Sequence, residues 1–271
     1  MAELTIDAVV FDVLGTLVDE PAGLRAGIRA LTSSASPSPS PSASPSGSLS
    51  ASPSGSLSAS PSPSPSPSPS LDDSGTERLL LLWQRHIERE QGRIVDGDRP
   101  YLPSDALDRE AAEIVARAAG AEDPAAGADP DAVASLARAA RRLPPWPDTV
   151  AGLARLAERF PLIGLSNASR TALLELNAHA RLRWHQALSA EDARTYKPDP
   201  EVYRLAVTVT GLPPERLLMV AAHAWDLRGA QALGLRTAYV ARPVGDPPTP
   251  SDHFDLYAED LADLADQLGV S

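Results

Sequence analysis

Apolar positions along the chain follow two periods. Ile6 to Phe11 (IDAVVF) is a short run rich in β-branched residues, which predicts a buried strand. Leu24, Ile28 and Leu31 then share helical spacing, as do Leu79, Trp83 and Ile87, and after them Leu107, Ile114, Val115 and Ala118. Gly120 ends that third helix. Asp129-Pro130 starts another, with Asp as N-cap and Pro at the first helical position, and Val133, Leu136 and Ala140 follow on one face. The stretch from Pro21 to about Leu143 is therefore helical, with no convincing strand.

After Pro144-Pro145 the pattern alternates. Val150, Leu153 and Leu156 mark a helix, and Pro161 to Leu165 a strand. Asp199-Pro200 begins a helix ending near Gly211. Leu217 to Ala221 is a strand, Asp226 to Leu233 a helix closed by Gly234, and Thr237 to Ala241 a further strand. Such alternation implies a parallel sheet with crossover helices. The fold class is α/β, with a helical insertion after the first strand.

One segment obeys neither period. From Ser33 to Ser70 the chain is almost only Ser and Pro. Pro45 to Ser52 reads PSGSLSAS, and Pro53 to Ser60 repeats it letter for letter. Such a stretch lacks the apolar surface to offset its ordering entropy, and its prolines disfavour helix and sheet alike. The expectation is a disordered, extended insertion in a surface loop. A docking stalk or phosphorylated tract is the functional alternative.

Composition narrows the function classes. The formal net charge is −12 over 271 residues. That argues against a nucleic-acid or anionic-membrane partner, which would favour a basic face. With no cysteine, neither disulfides nor thiolate metal sites contribute. Met1 to Asp7 has no apolar signal core, and no apolar run approaches the ~20 residues that span a bilayer. The expectation is a cytoplasmic protein.

Ligands bind beyond the carboxyl ends of parallel strands, so the predicted strand ends are where chemistry is expected. The first gives Phe11-Asp12-Val13-Leu14-Gly15-Thr16, an acid directly after a buried strand. The second gives Leu165-Ser166-Asn167-Ala168-Ser169. Then come Tyr196-Lys197-Pro198-Asp199-Pro200, and finally Ala221-Ala222-His223-Ala224-Trp225-Asp226. Singly each has a structural explanation: an N-cap acid, a turn, a helix start with a solvated Lys. Together, in this order, they point to a site with Asp12 as nucleophile.

This set resembles the haloacid dehalogenase (HAD) superfamily, and within it the type II 2-haloacid dehalogenases. VFDVLGTLVD resembles the first motif, LSNAS the second, YKPDPEVY the third and AHAWD the fourth. The resemblance implies a Rossmannoid parallel-sheet core of residues 1–20 and 145–271. It also implies a helical cap of residues 21–144, containing the insertion at 33–70. It implies that Asp12 attacks the halogen-bearing carbon to form an aspartyl ester, which water then hydrolyses. Lys197 would stabilise the carboxylate, and Asp226 would orient or activate the water. Thr16, Ser166, Asn167 and Tyr203 match positions that contact nucleophile or substrate. His223 is either a base for ester hydrolysis or a polar filler in place of the family's Asn.

Three features depart from that pattern. Leu14 stands where the family has Tyr. Ala221 and His223 stand where it has Ser and Asn. The cap arginine has no clean equivalent: Gln84 follows Trp83, and Arg85 comes one position later as the substitute candidate. A Mg²⁺ phosphatase of the same superfamily needs an acid at Leu14 and another at Ala222; neither is present. The implied enzyme acts on small 2-haloacids, uses no metal or cofactor, and leaves a homodimer open. A Mg²⁺ phosphatase, a serine hydrolase built on Ser166 in Gly164-Leu165-Ser166-Asn167-Ala168, and a degenerate binding protein remain the alternatives.

Overall fold

The computed structural model describes residues 5–34, 73–120 and 129–270. The chain opens on strand β1 (Ala8–Phe11), followed by four helices: α1 (Glu20–Ser34), α2 (Asp73–Val95), α3 (Ser104–Ala119) and α4 (Pro130–Ala137). Then α5 (Thr149–Leu156), β2 (Leu162–Ser166), α6 (Arg170–His179) and β3 (Gln186–Ser189) complete one half. The other half holds α7 (Pro200–Thr210), β4 (Leu217–Ala221), α8 (Ala224–Ala232), β5 (Arg236–Val240), β6 (Leu256–Ala258) and α9 (Leu261–Gln267).

All six strands are parallel, in the order β3-β2-β1-β4-β5-β6. The chain runs outward from β1 to one edge, returns to the centre at β4, and runs outward to the other edge. That reversal lies between β1 and β4, where a parallel sheet leaves a crevice beyond its carboxyl ends. Register fixes what stands there. Phe11 pairs with both Gly164 and Val220, so the residues after β1, β2 and β4 leave the sheet at one level.

The strands are buried on both faces, which explains their continuous apolar runs. Val9 and Phe11 pack with Leu162, Leu218 and Val220 toward α5, α6 and α9. Ala8 and Val10, pointing the other way, pack with Ile163, Leu217 and Met219 toward α7 and α8. A third cluster belongs to the inserted helices and joins Leu24 and Ile28 to Leu79, Trp83, Val115 and Leu136. No described helix is long and apolar enough to cross a membrane.

Most element boundaries agree with the apolar pattern within two residues. Asp129 and Asp199 both cap helices that begin with Pro, accepting from the N–H of Asp131 at 3.0 Å and of Glu201 at 2.9 Å. Gly211 closes α7 at φ +66°, a left-handed turn that glycine adopts freely. The first strand starts at Ala8 rather than Ile6, since Asp7 turns out to pair with Arg216. Helix α8 starts at Ala224, which puts Asp226 inside its first turn rather than at its opening. One boundary of the Ser/Pro segment is corrected: Ser33 and Ser34 belong to α1, and Ser33 Oγ donates to Arg29 O at 2.8 Å. The rest of that segment, residues 35–70, lies outside the described residues.

Candidate active site

Asp12 emerges from the buried end of β1, and its N–H still bonds to Val220 O at 3.0 Å. Both carboxylate oxygens have partners. Thr16 Oγ1 donates to Oδ2 at 2.6 Å, and Lys197 Nζ donates to Oδ1 at 3.0 Å. Thr16 can reach because Gly15, at φ +75°, turns the chain back on itself. The hydroxyl also accepts the Ala222 N–H at 2.9 Å, which ties the β1 turn to the end of β4. Asp12 is 7% exposed; Thr16 is fully buried.

Lys197 sits between two acids. Its ammonium donates to Asp12 and also to Asp226 Oδ2 at 2.8 Å. Burial alone would lower the lysine, but the two carboxylates together hold it above its ordinary value. Burial pushes the Asp226 carboxyl up, with Lys197 opposing and Asp12 adding to the rise. Two acids thus share one cation in a space of low dielectric.

The remaining Asp226 oxygen is taken as well. Tyr203 Oη donates to Oδ1 at 2.7 Å. Tyr203 is fully buried, and burial next to Asp226 drives its phenol far above the ordinary range, so it stays a donor. Helices α7 and α8 approach closely enough for this bond only because residue 229 is glycine. A Cβ there would come within 2.5 Å of Tyr203 Oη.

Asp12, Lys197, Asn167 and His223 line a cavity of about 710 Å³ between the strand ends and the inserted helices. Asn167 is a strut as much as a wall. Its Oδ1 accepts the Lys197 N–H at 2.9 Å, and its Nδ2 donates to Gln91 Oε1 of α2 at 3.1 Å. His223 is half-buried; its Nε2 lies 3.3 Å from Leu14 O and its ring meets Trp225 at 5.9 Å. A Cβ on Gly15 would lie 2.6 Å from His223 Nε2, so these two positions are matched.

Four sequence-derived roles change. Tyr203 does not reach the cavity and holds Asp226 instead. Asp226 is 0% exposed, outside the cavity lining, with Lys197 on one oxygen and Tyr203 on the other, so it positions Lys197 rather than meeting a cavity water. Ser166 is buried and accepts the Ala168 N–H at 3.1 Å, stabilising the turn after β2. That removes it as a nucleophile facing the cavity. Arg85 is exposed on the outside of α2, because Trp83, Gln84, Ile87 and Glu88 form the face toward the cavity. Sequence spacing missed Glu20, Asp108 and Gln91, which also line it. Only packing of the inserted helices over the sheet edge brings those three near Asp12.

The donor set does not fit Mg²⁺. Leu14 offers no side-chain oxygen, Asp226 is engaged by Lys197 and Tyr203, and no group of three or more His, Asp or Glu among the described residues could hold a metal ion.

The chain is similar to known proteins. The family model for haloacid dehalogenase-like hydrolases matches residues 6–234. The (S)-2-haloacid dehalogenase of Pseudomonas putida is 33% identical over 87 residues, 31% of this chain and 38% of that protein. The matched stretch therefore spans well under half of that relative. A crystal structure of an L-2-haloacid dehalogenase shares 32% identity over 98% of this chain and 100% of its own, with a TM-score of 0.74. That of a defluorinating L-2-haloacid dehalogenase shares 28%, over 97% and 95%, with a TM-score of 0.75.

Proposed function

The chain belongs to the haloacid dehalogenase-like hydrolases, and from that membership we propose that it converts a small 2-haloacid and water into a 2-hydroxyacid and halide. The observation that carries this reading is the Asp12–Lys197–Asp226 arrangement, which presents a cation-paired carboxylate to the cavity beside a hydrogen-bonding Thr16. Residues 1–20 and 145–271 form the core in this reading, and residues 21–144 the cap.

Asp12 displaces halide from C2 of the acid. A carboxylate oxygen forms the new bond, and the carbon–halogen electron pair departs with the halide. Lys197 and Thr16 anchor the group from two sides, which aligns the attacking oxygen. Water then adds to the carboxyl carbon of the ester. The tetrahedral charge falls next to the Lys197 ammonium, already in place before the reaction begins. Collapse breaks the bond between that carbon and the ester oxygen, releasing the hydroxyacid and restoring Asp12.

With Asp226 enclosed, His223, which lines the cavity beside Leu14, takes the water's proton in this reading. When Nε2–H donates to Leu14 O, the lone pair rests on Nδ1. Rapid-quench measurement on His223→Ala should show the aspartyl ester accumulating. Unchanged ester decay would remove this role.

A single turnover in ¹⁸O-water with 2-chloropropionate tests the whole scheme. One heavy oxygen should enter the Asp12 peptide, and the first hydroxyacid released should carry none. Heavy oxygen in that first product, with none in Asp12, would replace the ester mechanism by direct attack of water.

A further inference from the structure

The proposed substrate is an anion, yet the cavity offers it no free cation. Among the described lining residues there is no arginine, and Lys197, the lysine there, is bonded to two acids. Gln84 occupies the cavity-facing position on α2. Two acidic side chains stand on the wall instead. Glu20 opens α1 and Asp108 lies on α3, about nine-tenths buried at 8% exposure. Neither carboxyl makes a hydrogen bond or an ion pair, and both face the cavity.

We propose that the unpartnered, cavity-facing carboxyl of Glu20 donates the hydrogen bond that receives the carboxylate of the substrate, with Asp108 beside it as a second donor. This proposal rests on the dehalogenase reading for the identity of the substrate, but not for the existence of the site. An O–H donor facing a carboxylate forms a short, charge-assisted bond, the kind of contact an absent arginine would otherwise supply.

The surroundings favour the protonated form of both groups. Burial raises Glu20 to about 7; His223 opposes the rise, while Asp12 and Glu88 add to it. Burial also lifts Asp108 well above the carboxylate range, helped by Glu20 and Asp105 and opposed by Arg141. The groups facing Glu20 are thus Asp12 beyond β1, His223 before α8, Glu88 on α2 and Asp108 on α3. A second negative charge arriving in the cavity raises both acids further, so binding takes up a proton above neutrality.

Calorimetric binding of lactate, an unreactive 2-hydroxyacid, tests this in the wild type, Glu20→Gln and Glu20→Ala between about pH 6 and pH 9. The wild-type Kd should weaken by about tenfold per pH unit above ~7, with proton uptake on binding. Glu20→Gln keeps a donor that cannot ionise, so its Kd should stay tight and flat. Glu20→Ala should bind at least about tenfold more weakly even at low pH. Retention of the wild-type slope in Glu20→Gln would place the titration on a group other than Glu20 and overturn the proposal. So would a wild-type Kd in Glu20→Ala, or no lactate binding by the wild type near pH 6. Halide release from 2-chloropropionate, followed in parallel, reports on the reaction alone. Its absence beside pH-linked binding would sink the dehalogenase reading and leave the carboxylate site standing.

Discussion

Two carboxylates and one ammonium meet where water barely reaches, and the balance is sensitive to any single loss. Lys197→Met leaves Asp12 and Asp226 facing each other unpaired. Halide release should fall by roughly a thousandfold, and stability by about 3–5 kcal/mol, read from urea unfolding. The Lys197 contribution is full below the unfolded lysine value and is lost only as pH rises through the higher folded one, so the wild type keeps it across neutral pH. Tyr203→Phe is a finer probe. It removes one bond to Asp226 without touching the cavity wall. The expected result is a several-fold lower kcat at unchanged KM and a loss of about 1.5–3 kcal/mol; a raised KM would return Tyr203 to the substrate. The sequence brought Asp12, Lys197, Asp226 and Tyr203 into one group. It could not separate those that meet substrate from those that brace them, because spacing fixes the helix face but not what lies across from it. The glycine at 229, which lets α7 and α8 approach, carries no such signal by itself.

Elements with an uninterrupted period were legible, and those without one were not. The interior strands β1, β2 and β4 are buried on both faces and read as continuous apolar runs. Strands β3 and β6 are edges of four and three residues, with exposed positions among them. In α6 the stripe of Leu173 and Leu176 is blurred by Leu174, 71% exposed. Helix α2 is held to α3 by charge as well as by its apolar face. Glu90, 3% exposed, accepts from Arg89, Arg93 and Arg99, and Arg99 continues to Glu110 of α3. The hydrogen bond from Arg89 leads in holding the Glu90 carboxyl down at about 2, against burial. Its folded value lies below the unfolded one, so its stabilisation is present above about pH 4 and disappears as pH falls toward about 2. Glu90→Gln should therefore lose about 1–3 kcal/mol at neutral pH. The wild-type and variant urea midpoints should converge on acidification; a gap that persists at low pH would point to packing instead of charge.

At the scale of the whole molecule, the cavity exists because the chain leaves the sheet and returns at one place. Asp19 N–H donates to Pro144 O at 2.8 Å, and Trp146 N–H to Leu17 O at 3.1 Å, so outgoing and incoming segments run side by side. A similar closure recurs within the inserted helices. Arg29 Nη2 reaches Asp73 Oδ1 at 2.8 Å, and Arg25 Nη2 reaches Glu77 Oε2 at 3.1 Å, placing the end of α1 against the start of α2. Residues 36–70 fall between those anchors. Replacing residues 36–70 with a short Gly/Ser linker should leave the melting temperature and kcat/KM for 2-chloropropionate within about twofold of the wild type; a large loss of either would give the segment a structural or catalytic part. The anchors have a consequence for inheritance. Tandem copies such as PSGSLSAS at 45–52 and 53–60 are prone to gain or lose whole units when the encoding DNA slips during replication. A gene in which such slippage leaves both helix ends clasped can drift in length from one lineage to the next while selection continues to see the same enzyme.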